Sequence, residues 1–413
     1  MKHLYTLLFL ISAIFLQAQD CTDKYQSDAF TTVEVSTVKF GQAIDGQGNN
    51  QELFMDIYQP AGDTSSMRPL LLFTYGGSFI TGTRKSDELI YFATEMAKKG
   101  YVCATYDYRL GTIGDLVQVE GLVKTVFRAV QDGKAAVRFF REDADTDNEY
   151  RINPATIIAG GTSAGAILSL HLAYVESADQ LPAQWQTWLN EVGGLEGNSG
   201  SPGYCSKSNG AFSFSGGLAD TSWIKETSVP VYSVHSTQDG VVLYNYGRPI
   251  GGNAPVELYG SGLITPRMQN LGVHTQLDTY QDDTHPSFIV ENDQAETQRR
   301  LDSTEKHLTE FLHLILPCNP QNVLHPNVDQ CESFTVGIAE IGPKGNFYAY
   351  PNPAANNLYA NGVANGDSYR IIDLKGAVLK TGVYQSDGIR IDNLAPGMYQ
   401  LQVGAVNLRF VKQ

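Results

Sequence analysis

The chain has 413 residues, of which 42% are hydrophobic and 18% charged, and its formal net charge is -15. That length and balance describe a globular protein with one large domain and something smaller, not a disordered chain. The acidic excess, with a pI near 4.9, argues against nucleic acid or an anionic membrane surface as partner.

Lys2 and His3 precede an apolar run, Leu4 to Leu16, that is too short to span a bilayer. Residues 1–18 therefore read as a secretory signal ending at Ala18. Asp20 before Cys21 spoils a lipoprotein cleavage box, so no lipid anchor is expected. No other stretch approaches the ~20 apolar residues of a membrane-spanning helix, and none is expected after signal removal. Export permits disulfides. Cys103, inside the apolar stretch YVCATYDY, reads as a free buried thiol, which leaves Cys21, Cys205, Cys318 and Cys331 for two bridges of open connectivity.

After the signal, Thr31 to Phe40 and Leu53 to Tyr58 read as antiparallel strands around the turn-rich segment Asp45 to Asn50. Pro69 to Tyr75 is a continuous apolar run, as expected of a strand buried on both faces, and it leads directly into Gly76-Gly77-Ser78-Phe79. Ser86 to Lys99 has helical periodicity closed by Gly100, and Tyr101 to Tyr108 reads as the next buried strand. Val117 to Arg141 reads as one helix with Lys124, Arg128, Asp132, Lys134 and Arg138 on one side, and Tyr150 to Pro154 as a turn. Strand Thr156 to Gly160 and helix Ala164 to Val175 then bracket Gly161-Thr162-Ser163-Ala164-Gly165.

The region from Asp179 to Ser208 loosens into Trp185, Trp188 and a Gly/Ser/Asn-rich stretch, which reads either as a cap over a site or as a peripheral helix with packing tryptophans. Pattern resumes with strands Ala211 to Ser215, Val229 to His235 and Thr275 to Tyr280, and with helix Gln294 to Leu316. Alternating strands and helices indicate a mostly parallel sheet flanked by helices, with functional groups beyond the strands' carboxyl ends. Residues 19–317 form this domain and 318–344 read as a linker. Residues 345–413 contain seven short β-type runs with turns between them, a small all-β sandwich.

A serine hydroxyl needs an adjacent base, itself oriented by a third group. Ser163, on a sharp turn between strand and helix, is the candidate nucleophile. Among the histidines, His171 sits two turns into the nucleophile helix and reads as pointing elsewhere. His274 is at the wrong end of its strand, His307 and His313 are on the last helix, and His325 is in the linker. His285, in the loop after Thr275 to Tyr280, is the candidate base, with His235 the alternative. Asp239, directly after strand Val229 to His235, is the candidate acid; Asp220 is its rival, and Asp282 and Asp283 read as solvated loop carboxylates. The amides of Gly77, Ser78 and Ala164 are candidate oxyanion donors. No metal-ligand spacing or phosphate loop is present, so no cofactor is expected.

From about Leu53 to Leu316 the chain resembles the serine carboxylesterases of the α/β-hydrolase superfamily. Tyr75-Gly76-Gly77-Ser78-Phe79 is similar to the family's H-G-G-G-[FW] segment, with Tyr75 for histidine and Ser78 for the third glycine. Asp107-Tyr108-Arg109-Leu110 is similar to its Y-R-L strand end, and Gly161 to Gly165 to the S-A-G form of its elbow. The resemblance implies the order Ser163, Asp239, His285 as a triad and an ester as substrate, small or polymer-attached. A serine peptidase of the same fold, or a catalytically silent surface-binding protein, is the alternative. Trp185, Trp188 and Tyr244 to Tyr246 suggest an aromatic mouth, though such residues also serve packing.

The last residues resemble the type A C-terminal sorting domain of the type IX secretion system. Tyr350-Pro351-Asn352-Pro353-Ala354, Asp373-Leu374-Lys375-Gly376 and Leu394 to Tyr399 carry the likeness. It implies passage through the type IX machinery across the outer membrane, removal of this module, and release or surface attachment. A carbohydrate-binding β-sandwich is the rival reading of the same residues.

Overall fold

The computed structural model describes residues 24–316 and 348–413, apart from 353, 362, 374–377 and 404–405. The expected signal and linker lie outside the described residues. The chain divides into two compact units, Met1–Ser333 and Phe334–Gln413.

The first unit is built on an eight-stranded sheet: β1 (Val33–Ile44), β2 (Asn50–Pro60), β3 (Arg68–Thr74), β4 (Val102–Tyr106), β5 (Ile152–Thr162), β6 (Gly210–Phe214), β7 (Val231–Ser236) and β8 (Thr275–Tyr280). Their order across the sheet is β1-β2-β4-β3-β5-β6-β7-β8. β1 and β2 form an antiparallel hairpin and β2 meets β4 antiparallel, whereas every pairing from β4 onward is parallel. This is the α/β-hydrolase architecture. The parallel strands are apolar because helices cover both faces; every residue of β3, β4 and β6 is buried.

The helices are α1 (Asp87–Lys98), α2 (Val119–Asp145), α3 (Ala164–Tyr174), α4 (Ala183–Glu191), α5 (Ser261–Asn270) and α6 (Gln294–Ile315). α1 packs with α6, and α2 with α3 and α4. After β3 the chain crosses to β4 on one side and then returns to β5 on the other. Loops leaving β3 and β5 therefore diverge, opening a crevice at their carboxyl ends.

Three readings from the sequence change. The helix read from Val117 begins at Val119 and runs on to Asp145, and a separate short turn at Ile113–Leu116, opened by a capping box between Thr112 and Asp115, precedes it. Tyr150 to Pro154 is not only a turn, since β5 already pairs with β3 at Ile152 opposite Arg68. The charged side of α2 faces protein. Asp132, Lys134 and Arg138 are buried; Lys134 and Arg138 hold Glu196 at 2.8 and 3.0 Å, and Asp132 pairs with Arg109 at 2.8 Å. The second half of the 179–208 segment is thus strapped to α2.

Cys103 is a free buried thiol and Cys205 is disulfide-bonded. Cys21, Cys318 and Cys331 lie outside the described residues. The second unit holds two antiparallel sheets. One is of three strands (Tyr348–Tyr350, Asn357–Asn361, Ile389–Arg390) and one of four (Ser368–Asp373, Val378–Val383, Gly397–Val403, Val406–Lys412). Leu358, Ile371, Ile391 and Leu401 belong to a shared core, as expected for a small β-sandwich.

Candidate active site

Ser163 is the single residue between β5 and α3, with φ 55° and ψ -116°. Such a conformation at a non-glycine residue costs on the order of 1–3 kcal/mol and persists only where its surroundings enforce it. Here the Ser163 amide donates to the Phe214 carbonyl at 2.8 Å, and its own carbonyl accepts from the Ile167 amide at 2.9 Å. The flanking glycines have a packing cause. A Cβ at Gly161 or at Gly165 would stand 2.3 Å from the Thr74 carbonyl oxygen, so only glycine lets β3, β5 and α3 converge.

Ser163 Oγ lies 2.8 Å from His285 Nε2, and His285 Nδ1 lies 2.7 Å from Asp239 Oδ2. A carboxylate only accepts, so Nδ1 carries the ring proton. Nε2 then presents its lone pair to the serine hydroxyl, the polarity that general-base chemistry needs. Asp239 Oδ1 accepts from the amides of Val241 and Val242 at 2.8 and 3.0 Å. Burial pushes the Asp239 pKa up, but hydrogen bonds from His235 and His285 together with their charge outweigh it and hold the carboxyl at about 2.

The oxyanion-type loop is wound left-handed: φ is 116° at Gly77, 54° at Ser78 and 63° at Phe79. A Cβ at Gly76 would lie 3.0 Å from the Ser163 Cβ, so this loop rests against the serine. Among the described residues the Gly77 and Ser78 amides donate no backbone hydrogen bond. With the amide of Ala164 at the start of α3, they are donors that a developing oxyanion could use. The Tyr75 side chain turns away, buried and stacked on Tyr108 with ring centroids 4.5 Å apart.

The loop carrying His285 is braced by residues with no recognisable signature. Ser287 Oγ accepts from the Ser236 amide at 2.7 Å and meets Ser215 Oγ at 2.7 Å. Arg300 donates to the Ser287 carbonyl at 2.8 Å and to Asp282 at 2.5 Å, and its guanidinium lies over the Tyr280 ring at 4.1 Å. Asp282 is therefore an ion-pair partner and not a solvated carboxylate, while Asp283 is exposed. Asp220 caps a short turn by accepting from the Ser222 amide at 2.7 Å. His235, the alternative base, is fully buried behind Asp239, its Nε2 donating to the Val242 carbonyl at 2.9 Å.

Ser163 opens into a pocket enclosing about 760 Å³, part of it open to solvent. Its lining is mostly aliphatic, from Leu122, Val126, Ile167, Val242, Pro249 and Leu258 among others. Of the aromatic residues expected at the mouth only Trp185 lines it. Trp188 packs in a neighbouring core, Tyr244 meets the His235 ring and Tyr246 meets Tyr259. His171 also lines the pocket, contrary to the expectation that it points elsewhere. α3 is apolar all round, so nothing in its pattern distinguishes the pocket side from the core side. Among the described residues no cluster of His, Cys, Asp and Glu could hold a metal, and no helix is long and apolar enough to cross a membrane.

Residues 55–196 match the family BD-FAE, and residues 348–413 match the secretion system C-terminal sorting domain. Over residues 55–196 the chain is thus similar to the esterase α/β-hydrolases of the BD-FAE family, and over residues 348–413 to type IX sorting domains. The sorting domain makes the protein a secreted or cell-surface one. The BD-FAE match spans Gly77, Ser78 and Ser163 but stops before Asp239 and His285, whose proximity to Ser163 is a matter of geometry alone.

A juvenile hormone esterase of Tribolium castaneum is 25% identical over 163 residues, 37% of this chain and 26% of that protein. The chain thus spans about a quarter of that relative. Similar solved structures include esterase 2 of Thermogutta terrifontis. Its form phosphoramylated by tabun is 20% identical with a TM-score of 0.49, and its apo form is 21% identical with a TM-score of 0.48. Each comparison covers 67% of this chain and 94% of the other.

Proposed function

We propose that the protein is an exported serine carboxylic ester hydrolase, with the catalytic domain at residues 19–317 joined through 318–344 to a sorting module at 345–413 that the type IX machinery recognises and removes. The observation that carries this reading is the unbroken hydrogen-bonded sequence Ser163–His285–Asp239 at the mouth of an apolar pocket. Ser163 Oγ attacks the ester carbonyl while His285 Nε2 takes its proton, and Asp239 stabilises the imidazolium that results. The amides of Gly77, Ser78 and Ala164 receive the oxyanion. His285 then gives the proton to the departing alcohol, and water, activated by the same nitrogen, cleaves the acyl-enzyme.

The pocket favours an apolar group on the ester. Its lining includes exposed aliphatic residues as well: Val241 and Ile250 are each 36% exposed. Exposed apolar residues gathered around one opening suit a hydrophobic substrate.

Hydrolysis of p-nitrophenyl esters from acetate to palmitate by the wild type and Ser163→Ala tests the reading. Activity falling by about a millionfold in the variant is expected, as when a triad nucleophile is removed. A fluorophosphonate probe is expected to label Ser163. Turnover unchanged by the substitution would overturn the mechanism.

A further inference from the structure

His171 is 4% exposed, and its Nδ1 lies 2.8 Å from the Ile167 carbonyl oxygen one turn earlier in α3. A carbonyl can only accept, so Nδ1 is the protonated nitrogen and Nε2 carries a lone pair. No residue among those described bonds to Nε2, and it is not among the buried atoms sealed away without a partner. The ring lines the pocket, held edge-on by Trp223 at 5.6 Å. Apart from Ser78, Ser163 and the Trp185 indole, every other lining side chain is apolar.

Ala164, Ile167 and His171 follow one face of α3 at helical spacing, so the pocket runs along the helix away from Ser163. Eight residues at the α-helical rise place His171 about 12 Å from the serine, backbone to backbone. An acceptor lone pair at the far end of an otherwise apolar pocket is costly to leave unpaired. It selects a donor: ester, ether and ketone oxygens present only lone pairs, and an ammonium would lose its hydration in apolar surroundings.

We propose that His171 Nε2 is the distal specificity determinant of this pocket and takes a hydroxyl at the end of an apolar chain or ring, so that the preferred ester carries a hydroxyl-terminated apolar group. This subsite rests on the ester-hydrolase reading for its role in turnover, but its binding preference can be measured without any turnover.

The binding test uses Ser163→Ala, titrated with linear alkanediols and with alkanols of matched length, followed by tryptophan fluorescence because Trp185 lines the pocket. Diols are expected to bind about tenfold tighter than the methyl-terminated alkanols, with the preference lost in Ser163→Ala/His171→Phe. Equal affinity for diol and alkanol in Ser163→Ala would overturn the proposal even if the second variant does not fold. A preference that survives His171→Phe would overturn it as well. In the wild type, kcat/KM is then compared for octanoyl and decanoyl p-nitrophenyl esters and their ω-hydroxy counterparts, and for acetates of the same alkanols and diols. A hydroxyl preference in one of the two series, lost in His171→Phe, supports the subsite's role in catalysis. Diol selectivity without any ester turnover would leave the subsite standing and remove the hydrolase reading.

Discussion

Arg300 on α6 donates to the carbonyl of Ser287, only two residues beyond His285, across 2.8 Å. The same guanidinium reaches Asp282 at 2.5 Å and Glu296 at 2.8 Å, so the two ends of the His285 loop are tied to one rigid helix. Lysine cannot reproduce this, because an ammonium lacks the planar fork that serves three acceptors in fixed directions. Arg300→Lys is expected to lower kcat roughly tenfold with KM little changed, since the base and not the pocket is displaced. Steady-state kinetics on a soluble ester checks it. A change confined to KM would mean that the helix supports the pocket instead.

Asp132 is completely buried against Arg109, which also donates to the Ile44 and Arg128 carbonyls. Burial pushes the Asp132 pKa up and the Arg109 charge opposes it. Removing the carboxylate leaves an uncompensated buried guanidinium, which costs about 3–5 kcal/mol. Asp132→Asn is therefore expected to lower the denaturation midpoint strongly with the denaturant slope unchanged, while Asp132→Leu/Arg109→Met recovers most of the loss. Urea unfolding followed by tryptophan fluorescence distinguishes these outcomes.

His171 gives the protein a stability that depends on pH. Burial lowers its pKa to about 4, against the weaker opposing effect of its bond to the Ile167 carbonyl. The unfolded chain, with an ordinary histidine near 6.5, binds a proton between those two values while the native state does not. Stability from this residue is present above about pH 6.5 and drains away as pH falls toward 4, amounting to on the order of 3 kcal/mol at the lower end. Asp239, held at about 2, acts in a separate and lower window, losing its contribution as pH falls through the carboxylate range from about 4 toward 2. His171→Phe is thus expected to flatten the stability profile between pH 6.5 and 4 without changing it below. Thermal midpoints measured across that range provide the check.

What was legible in the sequence is what local geometry demands. A buried strand, a serine flanked by glycines and an apolar helix allow few arrangements, so the Ser163 turn could be placed directly. Asp239 and His285 could be named as candidates through chain order, because each lies in the loop after a strand whose carboxyl end faces the crevice. The rest depends on residues distant in the chain. Lys134 and Arg138 are buried because Glu196 meets them across a loop, and Asp282 is paired because α6 brings Arg300 to it. Neither partner is marked by spacing. His171 was misread for a related reason: a helix covered on every side gives no periodic signal to show which side borders a cavity.

The Ser163 backbone itself is a store of strain. Its φ of 55° and ψ of -116° suit glycine far better than any residue with a Cβ. Relief of that strain is worth on the order of 1–3 kcal/mol, against roughly 0.5–1 kcal/mol of extra unfolded-chain entropy that glycine introduces. Ser163→Gly is consequently expected to be about 1 kcal/mol more stable than Ser163→Ala, although both are inactive. Equal stability in the two variants, measured by chemical denaturation at one pH, would mean that the loops from β3 and β6 bear the turn without strain. A more stable glycine variant would show that the exposed position of the hydroxyl is held at a cost to the fold.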